Sequence, residues 1–205
     1  MKYSGAEIII KMLEINGIKC LSGIPGGSNL PLYDALKKSR IRHVLARHEQ
    51  GAGFIAQGIA RVTGKPGVCF ATSGPGAMNL LTAIADAKMD SVPVIAITGQ
   101  VPSALIGTDA FQEVDTYGLS LSITKHSFLV KDVKDIMPVM ADSFRIASSG
   151  RPGPVLIDVT KDAQIKKIEI KKWPAPSIPE SEPSFPDDVI RSEERRVGKE
   201  CRSRW

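Results

Sequence analysis

IRHVLARHEQGAGFIAQGIARV, residues 41–62, sets a short apolar run directly before a helix built from small residues. Ile41 to Ala46 reads as a strand. Gly51 to Val62 reads as a helix in which Gly51, Gly53, Ala56, Gly58 and Ala60 let another backbone come close. Glu49 stands alone between the two. A closely packed wall would exclude water from this carboxylate, and a desolvated carboxylate needs a specific partner. The alternative is a helix-start glutamate that complements the macrodipole and faces solvent.

The strand-then-helix alternation continues in both directions. Ser4 followed by Glu7 is a capping-box signature, and Ile8, Met12 and Ile15 recur at helical spacing until Gly17. Ile18 to Ser22, Ile41 to Ala46, Gly67 to Thr72, Pro93 to Thr98, Ser127 to Lys131 and Pro154 to Val159 read as six strands separated by helices. That order predicts an α/β domain with a six-stranded parallel sheet and helices on both faces. The unbroken runs VCFA and VIAI suit strands covered on both sides. A last long helix is expected over Asp135 to Ser149, with Pro138 in its first turn and Gly150 at its end.

With 205 residues and 42% hydrophobic content, the chain can bury one good core, losing roughly 70% of its unfolded surface on folding. Glu7, Lys11 and Glu14 interrupt the N-terminal apolar cluster, so neither a signal peptide nor a membrane span is expected, and a cytoplasmic location follows. Cys20, Cys69 and Cys201 have no metal spacing and an odd count, which argues against a disulfide framework or a zinc site. The net charge is +5, of which residues 191–205 carry +3, leaving +2 for residues 1–190. Without a basic stripe interleaved with aromatics, nucleic-acid binding is rejected. Beyond Lys161 the pattern fades into a segment with Pro174, Pro176, Pro179, Pro183 and Pro186, expected to be semi-rigid and extended.

In parallel α/β sheets, ligands gather at the carboxyl ends of the strands. GIPGG (Gly23 to Gly27) is a weak phosphate cradle, lacking both the P-loop ending and the dinucleotide spacing. SGPG (Ser73 to Gly76) opens a helix and reads either as an anion site or as a tight strand-to-helix turn. GTDAFQE (Gly107 to Glu113) places polar groups where a structural loop needs none. His48 is an orienting or packing residue beside Glu49, and His126 a structural histidine at a strand start. Arg151 follows the Gly150 stop and complements a helix end in its plain reading; Lys161, just past the last strand, is in its plain reading solvated.

LSGIPGGSNLPLYDAL (21–36), RHEQGAG (47–53), SGPGAMNLLTAIADA (73–87) and AITGQVPSALIGTDAFQEVDTYGLSLSITKHSFLV (96–130) together resemble the N-terminal third of the acetolactate (acetohydroxyacid) synthase family, along residues 4–161. The resemblance implies a thiamine-diphosphate enzyme that decarboxylates pyruvate and condenses the remainder with a second 2-oxoacid in branched-chain amino-acid biosynthesis. Residues 1–164 would be its pyrimidine-binding domain, 165–190 an interdomain linker, and 191–205 a non-native tail, since that stretch resembles translated sequencing adapter. Glu49 would hydrogen-bond N1′ of the aminopyrimidine and shift it to the imino tautomer. Phe111 and Gln112 would face the reaction centre. Gly23, leaving room for ligand, would line the substrate pocket with Phe111, Gln112 and Lys161. Gly23, Pro25, Ser73, Gly76 and Asn79 would border the thiamine cofactor, and Arg151 would meet FAD.

Magnesium and the diphosphate are held in that family by a Gly-Asp-Gly motif, which this sequence lacks. The chain is therefore expected to carry half a site within a homodimer or larger homo-oligomer, with a regulatory small subunit as a further partner. The helices Gly51 to Val62 and Ala77 to Asp90 are the expected apolar contact surface. A non-catalytic pyrimidine-domain module and another thiamine-diphosphate 2-oxoacid decarboxylase are the alternatives.

Overall fold

The computed structural model describes residues 1–177. Six strands form one parallel sheet: β2 (Cys20–Gly23), β3 (Arg42–Leu45), β4 (Gly67–Ala71), β5 (Val94–Gln100), β6 (His126–Val130) and β7 (Val155–Thr160). Their spatial order is β3-β2-β4-β5-β7-β6, every neighbouring pair parallel. The six expected strands are all present, each within a residue or two of its expected bounds.

Side chains alternate across this sheet, and the alternation divides the core. Leu21, Val68, Phe70, Ile95, Ile97, Val155, Ile157 and Val159 pack on one face against helices α1 (Gly5–Ile15), α2 (Leu30–Leu36) and α6 (Val133–Ser148). Cys69, Ala71, Val94, Ala96 and Leu156 pack on the other against α3 (Glu49–Thr63) and α4 (Pro75–Met89). All residues of β4, β5 and β7 are buried, which is why VCFA in β4 and VIAI in β5 read as unbroken apolar runs.

Helix starts follow their caps. Ser4 and Glu7 form the expected capping box, Glu7 N to Ser4 Oγ at 3.2 Å and Ser4 N to Glu7 Oε2 at 2.9 Å. α6 starts at Val133, two residues before the expected Asp135, because the Asp132 carboxylate accepts from Lys134 N at 3.2 Å. Pro138 is thereby placed inside the helix, past the first turn. The small residues of α3 meet α4 of the same chain: a Cβ on Gly53 would lie 2.5 Å from Ala83 Cβ, and Gln57 Nε2 donates to Ala83 O at 2.7 Å. The small residues of the expected contact surface are thus used internally, and Phe54, Val62, Met78 and Met89 remain exposed on the outer side.

After β7 come α7 (Lys161–Ile165) and β8 (Lys167–Glu169), which pairs antiparallel with β1 (Lys2–Ser4). Ile168, Ile170 and Trp173 pack against the core, with Trp173 edge-on to Tyr3 at 5.1 Å. The stretch expected to be linker therefore begins as part of the packed body. Pro179, Pro183, Pro186, Cys201 and the 191–205 tail lie outside the described residues.

Candidate functional site

The loops after β2, β3, β4, β5 and β7 converge on one edge of the sheet. The GIPGG loop is anchored by the buried Asn29, whose Oδ1 accepts from Gly26 N at 2.7 Å and whose Nδ2 donates to Ile24 O at 3.1 Å. It is tied to the next loop by Ser28 N to Thr72 Oγ1 at 3.2 Å and by the Ser28 and Ser73 hydroxyls at 2.8 Å. Gln164 of α7 donates to Ser28 O at 2.9 Å. These joints make a rigid rim of backbone and short polar side chains.

Gly23 ends β2 on this rim, but its missing side chain makes room for the protein itself. A Cβ there would lie 2.6 Å from both Phe70 O and the Tyr33 hydroxyl, so the expectation of space for a ligand at this residue is corrected. Tyr33 Oη is buried without a hydrogen-bond partner among the described residues. Burial, with Cys69 and Glu49 adding to it, pushes this phenol far above its ordinary value.

Glu49 is the first residue of α3, with His48 as its N-cap accepting from Gln50 N at 3.2 Å. The helix thus starts two residues earlier than expected and places the carboxylate in its first turn. Glu49 is half-buried, where the small-residue wall suggested full burial. The wall stands on one side only: Oε2 accepts from Asn79 Nδ2 at 3.0 Å, and a Cβ on Gly76 would lie 3.3 Å from Oε1. Oε1 accepts no hydrogen bond from the described residues. One oxygen is fixed and the other is open beside a glycine, which suits a flat heterocycle carrying a nitrogen donor. On that observation these residues fit the pyrimidine of thiamine diphosphate.

The GTDAFQE loop closes on this place through backbone contact. Gly74, with φ +57°, lies so near Gln112 that a Cβ on it would fall 2.6 Å from Gln112 O and 2.9 Å from its C and Cα. Gln112 itself has φ +59° and Asp109 φ +55°, both in the region that favours glycine. Phe111 is 86% exposed. Glu49, Ser73, Gly76, Asn79, Gln112 and Gly23 therefore share one edge, as do the exposed Pro25 after β2 and the half-buried Lys161 after β7.

Arg151 stands apart. Its Nε donates to Ser91 Oγ at 2.7 Å and its Nη2 to Met89 O at 3.0 Å, capping the carboxyl end of α4. α4 starts at the Gly74 turn, so its 15 residues, about 22 Å at the helical rise, separate Arg151 from that turn. His126 is likewise at the far edge, stacked edge-on to Phe128 at 4.3 Å. Ser28, Asn29, Tyr33 and Thr72 were not singled out by sequence; Asn29, following the glycine pair, carried the one local signal, that of a loop-anchoring Asn.

A family model described as thiamine pyrophosphate enzyme, N-terminal TPP binding domain, matches residues 3–119. The large subunit of acetolactate synthase isozyme 1 of Escherichia coli K12 is 61% identical over 191 residues, 93% of this chain and 34% of that protein. A probable acetolactate synthase large subunit of Methanocaldococcus jannaschii is 56% identical over 173 residues, 84% of this chain and 29% of that one. A chloroplastic acetolactate synthase of Brassica napus is 53% identical over 173 residues, covering 84% and 26%. The chain spans about a third of the length of these relatives or less. A half-open carboxylate beside a glycine cradle and the family match converge: the chain belongs to the N-terminal, TPP-binding domains of the thiamine pyrophosphate enzymes.

Proposed function

We propose that the chain is the pyrimidine-holding part of an acetolactate synthase large subunit. The observation that carries this reading is Glu49, with Oε2 fixed by Asn79 and Oε1 open beside Gly76. Thiamine diphosphate, when bound, supplies the electron sink for decarboxylating pyruvate and joining the remainder to a second 2-oxoacid. Glu49 Oε1 holds a ring nitrogen of the pyrimidine and exchanges a proton with it. Asn79 keeps the carboxylate from rotating, while Gly76 and Ser73 let the ring approach the α4 start. Gln112 donates its amide to oxygen that gains negative charge, and Phe111 covers the reacting face against water. Pro25, Lys161 and the rim at Gly23 border the substrate.

Magnesium and FAD belong to the same proposal, with Arg151 reserved for the flavin because it stands at the opposite edge. Partners are further copies of the chain's parent protein and, as the relatives' name of large subunit suggests, a smaller subunit. Among the described residues no helix is long and apolar enough to cross a membrane; a cytoplasmic location is part of the proposal. The test is Glu49→Gln in the longer protein containing this chain. The amide keeps the shape and loses the proton chemistry, so acetolactate formation should drop by orders of magnitude with folding intact. Near-normal turnover refutes the assignment.

A further inference from the structure

Asp158 is a carboxylate inside the apolar strand VLIDVT, 1% exposed, on the same face as Leu156. Among the described residues no cation pairs with it. Its Oδ1 accepts from Thr98 Oγ1 at 2.6 Å and its Oδ2 from Gln100 Nε2 at 2.8 Å. The second proton of that Gln100 amide goes to Val114 O at 2.9 Å, and Gln100 Oε1 accepts from Val101 N at 2.9 Å. The Gln100 amide is thus held at three points: Asp158 and the Val114 carbonyl fix its nitrogen, and Val101 N fixes its oxygen. Turned over, it would aim oxygen at both Asp158 and the Val114 carbonyl.

Val114 lies two residues after Gln112, at the carboxyl end of the loop that closes on Gly74. Within the loop, Gly107 N donates to Glu113 Oε1 at 2.6 Å and Glu113 N to Ala110 O at 2.9 Å, which keep its shape. The tie from the sheet to its end near Gln112 runs through Gln100. We propose that Asp158 is a positioning residue that acts through Gln100 to hold the 107–114 loop, and Gln112 with it, against the Gly74 turn.

Burial, with the Asp115 carboxylate adding to it, pushes the Asp158 carboxyl up to about 7. The relay tolerates both forms. With a proton on Oδ1, the acid donates to Thr98 Oγ1 while Oδ2 still accepts from Gln100. Asparagine can do the same, with its amide toward Thr98 and its oxygen toward Gln100; alanine cannot.

The anchor is tested on the 205-residue chain by amide hydrogen exchange, using Asp158→Asn, Asp158→Ala, Gln100→Leu and the Ala/Leu double variant. Asp158→Ala and Gln100→Leu should each speed exchange at residues 112–114 about tenfold, the loss of one buried hydrogen bond, with Ile95 to Ile97 unchanged. The double variant should add nothing, and Asp158→Asn should stay within about twofold of the parent. Unchanged exchange at 112–114, additive effects, or an Asn variant as loose as Ala would overturn the proposal. Gln100→Leu, at the strand end, carries the test if Asp158→Ala does not fold.

The catalytic consequence rests on the proposed function: in the longer protein the same variants should lower kcat with KM for pyruvate unchanged. Loosened exchange with unchanged kcat leaves the anchor standing and refutes the role given to Gln112.

Discussion

Gly74→Ala tests the contact on which the site's shape depends. At this residue φ is +57° and ψ −120°, a conformation that costs an L side chain about 1–3 kcal/mol. The new methyl would also fall 2.6 Å from Gln112 O and 2.9 Å from its C and Cα. These are backbone atoms, unable to rotate away, so the 107–114 loop must shift or the turn must open, adding about 1–2 kcal/mol. We expect a loss of about 3 kcal/mol in urea denaturation at constant m, or a Tm lower by roughly 6–12 °C for a domain of this size. Gly58→Ala is the companion: it lies inside α3, with nothing within 4 Å of its would-be Cβ. There, alanine should stabilise by about 0.5–1 kcal/mol. The same substitution in one chain should thus move the urea midpoint in opposite directions. A Gly74→Ala variant within about 0.5 kcal/mol of the parent, with unshifted amide resonances at Gln112, would refute the close approach of the two turns.

Asp158 should leave a signature in stability against pH. Its folded value is raised to about 7, so the folded state holds a proton that the unfolded chain releases near pH 4. The group's stabilisation is then full below about pH 4 and lost as pH rises to about 7, with a slope of up to about 1.4 kcal/mol per unit. The urea stability of the parent minus that of Asp158→Asn should fall between pH 4.5 and 7.5; a flat difference sinks the assignment. Phe111, 86% exposed, contributes little to the fold, so Phe111→Ala should leave stability within about 0.5 kcal/mol while lowering turnover in the longer protein. A clear drop in Tm would show the ring packed in solution. Titration of the 205-residue chain with thiamine diphosphate and magnesium should show no micromolar saturation, because much of the cofactor's affinity is expected from its diphosphate and the metal that bridges it. Calorimetric saturation in that range would contradict it.

The central strands were legible because burial on both faces leaves a local mark: GVCFA and VIAI have no polar residue to turn outward. α3 was legible from its small residues, and its start was misplaced because the cap is His48, outside the residues most favoured there. The β1–β8 pair was not legible. Two three-residue strands more than 160 residues apart carry no periodicity, and the Tyr3 and Trp173 contact beside them forms only in the fold. Gly23 shows a different limit: sequence reveals that a side chain is missing and cannot say whether ligand or protein takes the space. Asp158 shows a third, since its partners Thr98 and Gln100 lie 60 and 58 residues earlier.

The loop beside Glu49 is held through its backbone, which leaves the Phe111 and Gln112 side chains free. Gly74 meets the backbone of Gln112, Gln100 grips the carbonyl of Val114, and the Glu113 carboxylate closes the neck at Gly107 N. Asp109 and Gln112 sit at φ +55° and +59°, each costing about 1 kcal/mol or more, and such conformations persist only where the surroundings impose them. A loop with no task would relax by admitting glycine at those two positions. Here the imposed turn lifts the Phe111 ring into solvent and leaves the Gln112 amide without a partner among the described residues, on the edge that carries the open oxygen of Glu49. Strain held by three anchors on the loop's backbone, with one apolar and two polar groups exposed on a shared edge, is what supports the proposal that this edge receives a ligand.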